Sequence, residues 1–242
     1  MEPSYSRKKR NISIVGLGGI GSILSEKISR FLNYAPSFHG SRIKLIDGDE
    51  YEEKNLQRQE FGTFGNKAVV KSTDLKREYP NLDFETFGEY VNFSNIREVL
   101  NGEDVIFLCV DNHKTRKLVS DFAEELQNVI LISGGNDFID GNVQTYIRKD
   151  GKDITPSLTD YHPEIETPKD KSPDEMSCEE LAASSTPQLF FANLTAATIM
   201  CWSFYNSVAE DKPVVPCEVY FDIEKMKSDA KVRTTKNKSR RM

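Results

Sequence analysis

The chain has 242 residues, of which 38% are hydrophobic and 29% charged, and its formal net charge is −6. That apolar share is enough for a core and excludes a disordered chain, and the negative balance argues against nucleic acid as the main partner. No apolar run approaches the roughly 20 residues a membrane span needs. The basic start MEPSYSRKKR leads into a strand rather than an apolar leader, so neither a membrane partner nor a signal peptide is expected.

Residues 11–15 read as a first strand, with Ile12, Ile14 and Val15 apolar, running into a glycine-rich turn at 16–21. Ile20, Ile23, Leu24, Ile28, Phe31 and Leu32 then recur at helical spacing. Residues 33–40, with Pro36 and Gly40, read as a loop, and 42–46 as a second strand ending at Asp47-Gly48-Asp49. A helix is predicted over 67–79, halted by Pro80, and a strand over 84–90. Residues 104–110 (DVIFLCV) form a continuous apolar run, as a strand buried on both faces of a parallel sheet requires. A helix over 113–126 and a buried strand over 129–133 follow.

This alternation predicts a doubly wound, Rossmann-like, mostly parallel α/β sheet, with 142–147 beginning an antiparallel extension. Residues 149–188 carry Pro156, Pro163, Pro168 and Pro173 among acidic and polar residues and are expected to be a long mobile crossover loop. An apolar helix over 189–205, a late strand over 217–223 and a frayed basic tail over 231–242 complete one domain spanning 1–242.

Gly16-Leu17-Gly18-Gly19-Ile20-Gly21 fits G-x-G-x-x-G between a strand and a helix, where backbone amides and a helix N-terminus receive phosphate. Asp47, at the next strand end, is placed to accept from ribose hydroxyls, in NAD and ATP sites alike. Asn55-Leu56-Gln57-Arg58-Gln59 favours a triphosphate: Arg58 supplies a planar fork for phosphate oxygens, and hydride transfer has no use for one there. Lys67 offers a point charge at a helix start, and Asp111 a hard oxygen ligand for Mg²⁺ at the tip of a buried strand. Singly, Arg58 and Lys67 read as solvated charges and Asp111 as a helix N-cap. Their order along one sheet edge is what points to a site.

GLGGIG, DGDEYEEKNLQRQ, GNKA and VDNHKTR together resemble the ThiF/MoeB/ubiquitin-E1 adenylation domain, strongly over 12–116 and more loosely to 223. The resemblance implies an ATP-dependent, E1-like adenylyltransferase, with Gly16, Gly18, Gly19 and Gly21 lining the nucleotide and Asp47 holding ribose. It implies that Asn55, Arg58 and Lys67 contact phosphates, that Asp49, Gln59 and Asn112 belong to the nucleotide set, and that Asp111 holds Mg²⁺. The substrate it implies is the C-terminal carboxylate of a ubiquitin-like or sulfur-carrier protein, already a competent nucleophile, so that catalysis is placement plus neutralisation of charge. A homodimer and, in conjugation systems, an E2-like partner are also implied.

Cys178, just before the apolar helix, matches a crossover-loop cysteine that some members use for a thioester or persulfide-type linkage. A helix N-terminus would favour its thiolate and Glu179 and Glu180 oppose it. Cys109, Cys201 and Cys217 read as packing residues. With no CxxC pair and no tetracysteine set, no zinc is expected, and a reduced, cytoplasmic setting is. Only ten residues precede Asn11 and no further domain is appended, which suggests a small prokaryotic or phage-type member. The competing readings are an NAD(P)-dependent oxidoreductase, a non-catalytic scaffold for a ubiquitin-like partner, and a tRNA-modifying cyclase.

Overall fold

A computed structural model describes residues 9–56, 59, 61–102, 104–176, 189–210 and 216–236. Five short strands form its parallel half: β1 (Asn11–Val15), β2 (Arg42–Ile46), β5 (Asp83–Phe87), β6 (Val105–Leu108) and β7 (Val129–Asn136). They run in the spatial order β7-β6-β1-β2-β5, and β8 (Asp140–Lys149), β10 (Glu218–Asp222) and β11 (Lys227–Lys231) extend the β7 side antiparallel. A two-residue strand, β9 (Lys152–Asp153), pairs with β8, and β3 (Glu50–Tyr51) pairs with β4 (Gly65–Asn66) in a separate hairpin. The expected doubly wound sheet with its antiparallel extension is the fold observed.

The strands are buried on both faces, so their apolar residues split by period two. Val105 and Phe107 of β6 enter one core, with Ile12 and Ile14 of β1, α1 (Gly19–Tyr34) and α2 (Lys67–Glu78). Ile106 and Leu108 enter the other, with α3 (Ile96–Leu100) and α4 (His113–Glu125). The apolar run near the C-terminus forms α6 (Phe190–Phe204), whose Ala196, Met200 and Phe204 close the first core; it ends in a π-helical turn, Tyr205–Ala209.

Register sets the position of the site. Val15 pairs with Ile46 and with Leu108, and Ile46 with Phe87, so four strands end level. Gly16, Asp47 and the residues after Leu108 therefore emerge along a single edge, the carboxyl edge at which ligands bind in open α/β sheets.

Two expectations are corrected. Residues 149–176, read as the first part of a mobile loop, are packed: Leu158 and Ile165 are buried in the second core. Pro163 and Pro173 start helical turns, α5 (Pro163–Glu166) and a 3-10 turn (Pro173–Glu175), because a proline at the first helical position needs no hydrogen-bond partner. Asp170 accepts from the His113 backbone amide at 2.6 Å, which ties this segment to α4.

The basic tail is likewise anchored through 236. Lys231 ends β11, the Arg233 Nε donates to Glu218 Oε2 at 3.0 Å, and the Tyr161 hydroxyl donates to the Thr234 carbonyl at 2.8 Å. Among the described residues no helix is long and apolar enough to cross a membrane.

Candidate active site

A cavity of about 1400 Å³ runs along the carboxyl edge. Its walls include Gly16, Gly18, Gly19, Asp47, Asp49, Asn55, Gln59, Lys67, Asp111 and Asn112, which brings ten of the predicted site residues to one space. Gly21 lies behind that wall. Gly16 has φ +87°, and a Cβ on Gly21 would strike the Gly16 carbonyl, so strand, turn and helix approach closely only with glycine at both positions. The first turn of α1 has no side-chain cap, which leaves its amide donors to the cavity side.

Asp47 is buried and already engaged. Its Oδ2 accepts from the Leu17 amide at 2.5 Å and its Oδ1 from the Asp49 amide at 2.8 Å, so it laces the glycine-rich turn to the end of β2. Burial raises its pKa, against the pull of Lys67. Asp49 behaves oppositely: burial works to raise it, but Lys67 and the Tyr90 hydroxyl outweigh that and hold it below the ordinary carboxylate range.

Lys67 is not a solvated charge. It opens α2 behind the N-cap Asn66, is buried, and its ammonium lies 2.9 Å from Asp49 Oδ2. Asn55 is also committed: its Oδ1 accepts from the Glu52 amide at 2.9 Å in a capping box. Gln59 is only 3% exposed, and its Oε1 has no hydrogen-bond partner among the described residues.

At the end of β6 the N-cap reading of Asp111 is corrected. The cap of α4 is Asn112, whose Oδ1 accepts from the Thr115 amide at 2.8 Å. Asp111 is exposed to the cavity and, among the described residues, has no hydrogen-bond or ion-pair partner. No group of three or more His, Cys, Asp or Glu side chains is gathered for a metal among the described residues, so a cation here would take Asp111 and the oxygens of its own ligand. Arg58 and Cys178 lie outside the described residues. Burial pushes the Cys109 thiol up, and the Cys201 thiol up to about 11, so neither supplies a thiolate.

Sequence reasoning missed several residues of the wall. Arg116 is buried in α4 and donates to Ser133 Oγ (2.8 Å) and to the carbonyls of Val110 (2.6 Å) and Gly134 (2.9 Å). These acceptors are all neutral, and burial lowers its pKa. The signal was its phase: Arg116 shares the inward stripe of Val119, Ser120 and Ala123.

On the far wall His162 bridges two carboxylates, with Nε2 2.5 Å from Glu218 Oε1 and Nδ1 2.7 Å from Glu164 Oε1. Burial lowers the pKa of His162, but the two carboxylates outweigh it and raise the net value. Burial would raise Glu218, but His162, Tyr220 and Arg233 bring it down to about 2. No local motif marks this group, because its members come from a polar segment, from β10 and from the residues that follow β11.

The ThiF family profile matches residues 6–240. A probable molybdopterin-synthase adenylyltransferase of Porphyra purpurea is 29% identical over 171 residues, covering 69% of this chain and 42% of the relative. The adenylyltransferase and sulfurtransferase MOCS3 of Drosophila virilis is 29% identical over 143 residues, 57% of this chain and 30% of the relative. The chain thus spans less than half the length of either relative. Among solved structures, E. coli MccB with ATP superposes with a TM-score of 0.73 at 16% identity, over 96% of this chain and 66% of MccB, a likeness of fold. With the profile spanning nearly the whole chain and the sheet, turn and edge cavity in place, the protein belongs to the ThiF family.

Proposed function

We propose that this chain adenylates the C-terminal carboxylate of a ubiquitin-like or sulfur-carrier protein, with ATP as co-substrate and Mg²⁺ bound at Asp111. The observation that carries the reading is the Asp111 carboxylate, without a partner among the described residues, on the same cavity as the uncapped start of α1 and the buried cation Lys67. A dehydrogenase has no need of that combination. The cavity also exceeds the ~300–1,000 Å³ of most small-molecule sites, which leaves room beside a nucleotide for an extended peptide terminus.

The residues present fit the nucleotide. A side chain at Gly18 would reach only the Gln59 amide, Gln59 has a buried acceptor to satisfy, and the amide donors of α1 favour an anion. Asp47 retains lone pairs for ribose hydroxyls beyond the two amides it accepts from. In the reaction a carboxylate oxygen of the carrier forms a bond to the α-phosphorus and the bond to the leaving pyrophosphate breaks. Mg²⁺ supplies charge neutralisation on the phosphates when bound. Lys67, with Arg58, opposes the charge that moves to the leaving group. The Cys178 thiolate then attacks the acyl-adenylate carbonyl, a thioester bond forms, the bond to phosphate breaks and AMP leaves. The relatives' names, adenylyltransferase and sulfurtransferase, support this class of chemistry.

The test is ATP–pyrophosphate exchange dependent on a carrier with a free C-terminus, read for the wild type, Asp111→Ala and Cys178→Ala. We expect exchange in the wild type and in Cys178→Ala, and a fall of about 10²–10³-fold in Asp111→Ala. A reducible carrier conjugate is expected in the wild type and lost in Cys178→Ala. Tight NAD binding without any exchange would overturn the reading.

A further inference from the structure

The glycine-rich turn is flanked by two buried carboxamides. On one side is Gln59; on the other is Asn193, in the first turn of α6, which is 0% exposed. Neither Oδ1 nor Nδ2 of Asn193 has a hydrogen-bond partner among the described residues. Its amide packs directly on the Cα of Gly19: a Cβ there would collide with all three of its terminal atoms. Buried polar groups are nearly always paired, because an orphaned one forfeits its hydration with no return. An apolar side chain of the same size would serve the core better, since Asn193 is surrounded by Ala192, Ala196 and Ala197 of its own helix, all buried. The orphaned amide lies against the first residue of α1, whose amide donors await an anion.

We propose that Asn193 is a positioning residue of the nucleotide site, with its carboxamide satisfied only when phosphate is bound. Phosphates drawing on the amides of Gly18 and Gly19 shift the turn, and the shift brings backbone groups of the turn into hydrogen-bond range of Asn193. Nucleotide binding then also fixes α6, the helix that in sequence follows 177–188 and hence Cys178. The inference rests on the ATP reading of the same turn and adds a residue that does not itself touch the ligand.

The test is MgATP titration calorimetry on the full chain, with the melting temperature of the ligand-free protein measured in parallel. Asn193→Leu removes both orphaned atoms with the same number and branching of side-chain heavy atoms, so the protein without nucleotide is expected to melt at or above the wild-type temperature while its ATP Kd weakens about tenfold. Asn193→Ser keeps a donor and an acceptor in a smaller space, so it is expected to melt lower yet hold its Kd within about threefold. Stability and affinity thus rank in opposite orders, which a purely structural role does not produce. A Kd for Asn193→Leu within about twofold of wild type, affinities that follow melting temperature, or failure of Asn193→Leu to fold would each overturn the proposal. No ATP binding by the wild type would instead overturn the nucleotide reading, and this inference with it.

Discussion

Lys67 holds Asp49 at 2.9 Å, so an arriving phosphate competes with a carboxylate already in place. Two variants separate the roles. Lys67→Ala removes the cation from the phosphates and is expected to lower exchange by about 10²–10³-fold. Asp49→Asn removes only the resting counter-ion, and the ammonium then faces the phosphates without a rival. It is expected to keep exchange within about tenfold of wild type and to lower the melting temperature, because the buried Lys67 ammonium is left without its counter-ion. A loss in Asp49→Asn as deep as in Asp111→Ala would make Asp49 a metal ligand instead.

At this scale the sequence was informative where chemistry has a local signature. Asp111 follows a fully apolar strand and Lys67 opens a helix, so both could be placed on the edge. Arg116 and His162 could not, since their roles depend on partners 17 and 56 positions away.

Among the elements, the segment from β9 to the Pro173 turn departs most from its sequence reading. It carries two core anchors, Leu158 and Ile165, too few to produce a periodic pattern. Much of its hold is polar, through the bridge from His162 to Glu218 on β10. That bridge predicts a pH optimum of stability. The folded-state pKa of His162 lies above 6.5, so its contribution is complete below 6.5 and is lost as pH rises through the folded value. Glu218 falls from 4.5 to about 2, so its contribution is complete above 4.5 and is lost as pH falls toward 2. Both are complete between 4.5 and 6.5.

Melting temperature is therefore expected to peak in that window and to decline as pH rises through the raised value of His162. His162→Gln should flatten the alkaline limb. Breaking one partner of a buried pair costs about 3–5 kcal/mol; Arg233 remains on Glu218 in this variant, so the low end applies, or roughly 6–12 °C at about pH 6. An alkaline limb unchanged in His162→Gln would assign the decline to other groups. The parallel strands, by contrast, were legible because burial on both faces makes them continuously apolar, and the helices between them because their stripes repeat at helical period.

At the scale of the whole molecule, α6 is apolar around its circumference, although one side of it faces solvent. Phe191 is 62% exposed and Trp202 57%, and Tyr34 of α1, the helix that packs on α6, is 69% exposed. Monomers rarely leave large contiguous apolar patches uncovered. We propose that a second copy of the chain covers this side, a choice that sequence alone leaves open because an apolar helix reads the same whether core or interface covers it. Sedimentation of the full chain is expected to give a dimer. Trp202→Glu buries a charge in that contact and is expected to give a monomer with an unchanged far-UV circular dichroism spectrum. Gly18, Asp47, Lys67 and Asp111 line one cavity at the edge of a single sheet, so the monomeric variant is expected to retain pyrophosphate exchange within about tenfold. Were exchange lost while the fold persists, the catalytic set would be shared across the dimer, with the partner copy supplying a group to the phosphates. Retention would instead confine the chemistry to the edge of one sheet and leave the dimer the task of shielding α6.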